Sequence, residues 1–167
     1  IISIDCGTFK NGFVGDSAYT FCVGDVSQDV RDLLEVTKAS LYLGIGQAVE
    51  GKRIGDIGYA VQSYCESKGY SVVREMVGHG IGKKMHEAPE VPNYGRRGCG
   101  MMLRTGMVIC IEPMIKQGKK GLVFERDGWT TRTVDGKCSA HFEHAVAIRK
   151  GKADILSDFS IIEENLK

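Results

Sequence analysis

Several features that would quickly place a chain in a class are missing from this one. No apolar run is long enough to span a bilayer, and nothing at the start reads as a signal peptide. No block of like charge occurs: 22 basic residues stand against 21 acidic ones, a net charge of +1, so neither a nucleic-acid patch nor a charged tail is expected. The six cysteines form no Cys-x-x-Cys pair, and most lie in apolar periodic segments, which argues for reduced thiols in a cytosol rather than a disulfide framework. Low-complexity tracts and linkers are absent. So is an initiator methionine: the sequence opens on Ile1-Ile2-Ser3-Ile4-Asp5, already a strand pattern, as though something upstream were missing. What remains is a chain of 167 residues, 43% hydrophobic, which is enough for one core and one domain over residues 1–167.

Residues 1–6 read as a β-branched strand, apolar enough to want cover on both faces, and 13–23 as a second strand. Asn11-Gly12 between them is a strong hairpin signal, because a type I′ turn needs positive φ at both central residues. Ser27 is placed to cap a helix with apolar positions 30, 33, 34, 41, 45 and 48, closed by Glu50-Gly51. Asp56 is placed to cap a second helix ending at Gly69. Strands are expected near 70–75, 78–82, 107–112, 122–133 and 141–148. Helices set among hairpin-linked strands make the fold α+β, mostly antiparallel.

If Asn11-Gly12 is a two-residue loop, Lys10 faces Phe13 and Gly7 faces Asp16. Asp5, two residues from Gly7, then points to the same side as Asp16, with Cβ atoms roughly 7–8 Å apart or closer. Two carboxylates aimed at one spot repel unless a proton or cation sits between them.

Gly78-His79-Gly80-Ile81-Gly82 sets an imidazole between glycines, which permit unusual backbone angles and close approach to a ligand. It is no phosphate loop, since Lys83-Lys84-Met85 follows where a Walker pattern needs Lys then Ser or Thr. A second histidine, His86, follows seven residues on. Val108, Cys110 and Glu112 share one face of an apolar strand that Pro113 stops. His141, Glu143, Ala145 and Ala147 share one face of another. Buried carboxylates are rare unless paired or bound to a cation.

Asp5, Asp16, His79, Glu112 and Glu143 thus supply four carboxylates and one imidazole. Structural zinc sites are richer in Cys and His. An oxygen-rich set with one imidazole suits Mn, Fe, Co or Zn in a two-metal cluster. Two such ions about 3.5–4 Å apart hold a hydroxide between them and polarise a carbonyl, so the implied reaction is metal-assisted hydrolysis.

Over nearly its whole length the chain resembles type I methionine aminopeptidases, of the pita-bread metallohydrolase fold. The matching stretches are Ile4-Asp5 with Asn11-Gly-Phe-Val-Gly-Asp16, Gly78-His-Gly-Ile-Gly82 with His86-Glu87, Gly106-Met107 with Ile111-Glu-Pro-Met114, Asp127-Gly-Trp-Thr130, and Ser139-Ala-His-Phe-Glu-His144. The resemblance implies that Asp5 ligates one metal, that Asp16 and Glu143 bridge both, and that His79 and Glu112 hold the other. Glu112 is also implied as the proton acceptor near the bridging water. His86 is implied as the donor to the scissile peptide oxygen, Trp129 and Met85 as parts of the methionine pocket, and the Ser139 carbonyl as a ligand for a monovalent cation. The substrates it implies are nascent polypeptides with an N-terminal methionine and a small second residue, handled in the cytoplasm, with the ribosome as a partner.

The chain departs from that pattern in three places. Met85 stands where an aromatic is usual, and His141 where a glutamine is usual, beside Glu143 and positioned to orient the ligands. The segment before Ile1 would supply the first part of the fold and a further histidine. Two alternatives are a proline-specific peptidase of the same fold and a pita-bread binding module without catalysis. All five donors are present, and Asp127-Gly-Trp-Thr130 favours the methionine enzyme.

Overall fold

A computed structural model of the chain describes residues 1–166. Strand β1 (Ile2–Asp5) pairs antiparallel with β4 (Ser17–Phe21), Asp5 lying opposite Ala18. Between them β2 (Thr8–Lys10) and β3 (Phe13–Gly15) form a small separate hairpin with Lys10 opposite Phe13. Asn11 at φ 51° and Gly12 at φ 84° provide the turn. The register is the one Asn-Gly predicts, and Asp5 and Asp16 are diagonal neighbours. The expected unbroken strand from 13 to 23 is instead interrupted at Asp16, whose Oδ1 accepts the Ser17 N–H at 3.1 Å.

From β4 the sheet continues through β13 (Glu143–Ala147), β8 (Val108–Ile111) and β6 (Gly78–Gly80) to β7 (Glu87–Val91), with β14 (Asp154–Ile155) pairing the far end of β13. A second, three-stranded sheet runs β12 (Ser139–His141), β9 (Met114–Lys116), β5 (Ser71–Val72). The chain therefore passes directly between these two sheets at residues 73–77, at Glu112-Pro113 and at Phe142. The expected strand 141–148 is broken at Phe142 for this reason, and Pro113 ends one ladder only for β9 to open another. The expected strand 122–133 is a hairpin, β10 (Leu122–Phe124) with β11 (Thr131–Thr133).

Helix α1 (Gln28–Ile45) starts after Ser27, as its sequence suggests, and packs on α2 (Ile54–Ser67). The second helix starts earlier than expected. Arg53 is its N-cap, and Asp56 occupies the third position, where its carboxylate accepts the Arg53 N–H at 2.8 Å and the Gly98 N–H at 2.8 Å. A short α3 (Ser160–Asn165) closes the chain.

Period-2 alternation then sorts the central strands. Ile109 and Ile111 of β8 and Val146 of β13 join Leu33, Leu41, Ile57 and Val61 in the main core beneath the helices. Each such side chain contributes about 1.5–3 kcal/mol of burial. Cys110 and Ala145 face the other way, into a smaller cluster with Ile81. That second face carries the acids. β1 is the outer strand of the sheet, with Ile2 and Ile4 about half exposed.

Candidate metal centre

Asp5, Asp16, His79, His86, Glu112, His141 and Glu143 all line one cavity of about 380 Å³, together with Met76, Val77 and Met114. The five expected donors thus come from β1, the β3–β4 junction, β6, the end of β8 and the start of β13. Glu112 and Glu143 stand at or beside two of the points where the chain passes between sheets, which turns both carboxyls toward a shared gap rather than along a flat ladder.

His79 is held by backbone. Its Nδ1 donates to the Gly80 carbonyl at 2.9 Å, which leaves Nε2 facing inward, 3.6 Å from Glu112 and 3.7 Å from Asp16. The flanking glycines serve a different purpose from the one expected. Neither Gly78 nor Gly80 has positive φ. A Cβ on Gly78 would meet the Cys110 carbonyl oxygen at 2.3 Å, and one on Gly80 the Ala88 carbonyl oxygen at 2.2 Å. Glycine lets β6 lie close between its neighbours.

The electrostatics are those of acids crowded out of water. Burial, reinforced by Glu143, pushes the Glu112 carboxyl up to about 9. Burial, reinforced by Asp16, pushes Glu143 up to about 8. Asp16 is raised by burial and by Asp5. Burial also holds His141 below the usual imidazole range. Glu143 is 1% exposed, yet its Oε1 has no hydrogen-bond partner, and the buried Nε2 of His141 has none either. Carboxylates placed this way call for cations, and an imidazole Nε2 turned toward two of them fits an ion between (an oxygen-rich set suited to divalent metals).

Cys110 lies close to these donors, although its sequence context is that of an apolar strand residue. Its sulfur, Asp16, His79 and Glu143 offer ligand atoms all within 4.8 Å of one another. Its place on the face of Glu112 was the available signal. Met76, Val77 and Met114 had none, because nothing local marks them as cavity walls.

Two expected pocket residues lie elsewhere. Met85 packs over Gly7 in the small cluster with Ile81 and Cys110, filling the gap left where Gly7 has no side chain. Trp129 is 89% exposed at the β10–β11 turn. Asp127 builds that turn, its Oδ1 accepting the Trp129 and Thr130 N–H groups at 2.9 and 2.8 Å, and Trp129 does not line the cavity. Ser139 lies on β12 with its hydroxyl donating to the Ile115 carbonyl at 3.1 Å.

Residues 1–150 match metallopeptidase family M24. The chain belongs to that family. It is 50% identical over 157 residues to the methionine aminopeptidase of Clostridium acetobutylicum and 50% identical over 157 residues to methionine aminopeptidase 1 of Bacillus subtilis, in each case over 94% of this chain. It spans 63% of the length of these relatives. The crystal structure of methionine aminopeptidase from Rickettsia prowazekii superposes with a TM-score of 0.90 at 42% identity, covering 92% of this chain and 62% of that one. The prolidase from Pyrococcus furiosus superposes at 0.74 with 23% identity, over 93% of this chain and 40% of the other, a likeness of fold alone. The M24 chain therefore has the pita-bread fold that its motifs suggested.

Proposed function

We propose that this M24 chain is the metal-binding part of a methionine aminopeptidase, which removes the N-terminal methionine from nascent polypeptides whose second residue is small. The observation that carries this reading is the cluster itself: four carboxylates and one imidazole line one cavity, Glu143 Oε1 is buried and unpartnered, and Glu112 and Glu143 are forced toward neutrality unless a cation is present. Asp5, Asp16 and Glu143 would hold one divalent ion of the Mn, Fe, Co or Zn class, and Asp16, His79, Glu112 and Glu143 a second. When bound, the ions supply Lewis acidity toward the scissile carbonyl and an acidified water.

The residues of the chain do the rest. Glu112 borders the cavity with His79 and His141 on either side, and accepts the proton of the attacking water. His86 is exposed at the rim with its ring edge-on to His79, centroids 4.4 Å apart. From there it donates to the peptide oxygen as negative charge develops. Met76, Val77 and Met114 give the cavity its apolar wall for a thioether side chain. His141, its Nε2 3.9 Å from Glu112 Oε2, is placed to orient that carboxyl in the filled site rather than to ligate a metal. Among the described residues no helix is long and apolar enough to cross a membrane. Action in the cytoplasm, on chains leaving the ribosome, completes the proposal.

Peptide turnover tests it. Purified protein supplied with Mn²⁺ or Co²⁺ should release methionine from Met-Ala-Ser and leave X-Pro dipeptides intact. Turnover of X-Pro dipeptides alone would make it a prolidase. Metal binding without turnover of either, in protein that spans the full length of the relatives, would make it a binding module.

A further inference from the structure

Cys110 sits within the metal centre yet has no part in the five-donor cluster. It lies on β8 opposite Ala145, two residues along β13 from Glu143, and it is fully buried. Its Sγ and one ligand atom each from Asp16, His79 and Glu143 lie within 4.8 Å of one another. Independently, Glu143 has a buried carboxylate oxygen, Oε1, with no hydrogen-bond partner. A tetrahedral ion about 2.3 Å from sulfur and about 2.0–2.2 Å from nitrogen and oxygen would sit among four such donors after shifts of order an ångström. Hard ions such as Mn²⁺ gain little from sulfur, whereas borderline and soft ions gain most from it.

We propose that Asp16, His79, Glu143 and Cys110 form a four-donor seat for a single soft divalent ion of the Cd²⁺ class, which excludes the two-metal state by occupying two of its shared carboxylates. The inference rests on the metal-centre reading above and adds a selectivity to it. On binding, a metal–sulfur bond forms, the S–H bond breaks, and the proton passes to solvent, with no change of oxidation state. Soft ions would therefore act as inhibitors of the hard-ion enzyme.

Titrating the metal-free chain with Cd²⁺ and following the ultraviolet sulfur-to-cadmium charge-transfer band tests the seat. The band should saturate at one equivalent and persist when the exposed thiols are removed as Cys6→Ser, Cys22→Ser and Cys99→Ser together. It should vanish in Cys110→Ser and in Cys110→Thr, both checked for folding by circular dichroism. In these variants Cd²⁺ affinity should fall at least roughly tenfold more than Mn²⁺ affinity, both read by calorimetry. A band that survives loss of Cys110, or one that disappears with the exposed thiols, overturns the proposal. Mn²⁺ binding without any cadmium band overturns the seat and leaves the two-metal centre standing, whereas failure of wild-type protein to bind Mn²⁺ removes both.

Discussion

Nε2 of His79 stands 3.6 Å from Oε1 of Glu112, too far for a hydrogen bond and close enough for both atoms to touch one ion between them. The separation follows from how each residue is anchored. His79 is tied to the Gly80 carbonyl through Nδ1, and the Glu112 backbone carbonyl accepts from Asn93 Nδ2 at 3.0 Å. The two strands thus present their donors from fixed positions.

Stability without metal should depend on pH. Glu112 and Glu143 are held up to about 9 and about 8 in the folded chain, whereas an unfolded glutamate titrates near about 4.3. Between these values the folded state binds more protons than the unfolded state. The stability they contribute is complete below about 4.3 and is lost as pH rises through 8 to 9. The melting temperature of metal-free protein should fall across that window, and Glu112→Gln should flatten the fall. A wild-type profile that rises through the same window would contradict the burial argument.

His86→Ala should bind Mn²⁺ normally and lose about 10²–10³-fold in kcat, since the ring stands at the cavity rim and acts on developing charge. Should only KM rise, His86 would be a ground-state contact instead.

Gly80→Ala should destabilise the fold by about 1–3 kcal/mol and weaken metal binding, because its new Cβ would press on the Ala88 carbonyl beside His79. Denaturant unfolding and calorimetry would read the two effects. A fully stable variant with wild-type affinity would show that β6 has room to spare.

The hairpin register and the five donors were legible because both depend on local rules. Asn11-Gly12 fixes the pairing, period 2 then aligns Asp5 with Asp16, and acids at the ends of apolar strands stand out at Glu112 and Glu143. What was hidden depends on crossings between sheets. Phe142 reads as one more strand residue, yet the chain changes sheets there, and the cavity walls Met76, Val77 and Met114 lie at or just after the other two crossings. Cys110 was passed over because a buried thiol and a small hydrophobe look alike in sequence. Trp129 is exposed because it belongs to the turn that Asp127 builds, which the apolar character of an indole does not reveal.

Calorimetric titration of the metal-free chain with Mn²⁺, alongside Asp16→Asn and Glu143→Gln, tests the metal centre most directly. Each substitution keeps the shape of a carboxylate facing the cavity and removes its charge. The wild-type protein should take up two ions per chain, and each variant should lose at least one of them together with hydrolysis of Met-Ala-Ser. Wild-type stoichiometry and affinity in both variants would contradict the assignment of these residues as shared ligands.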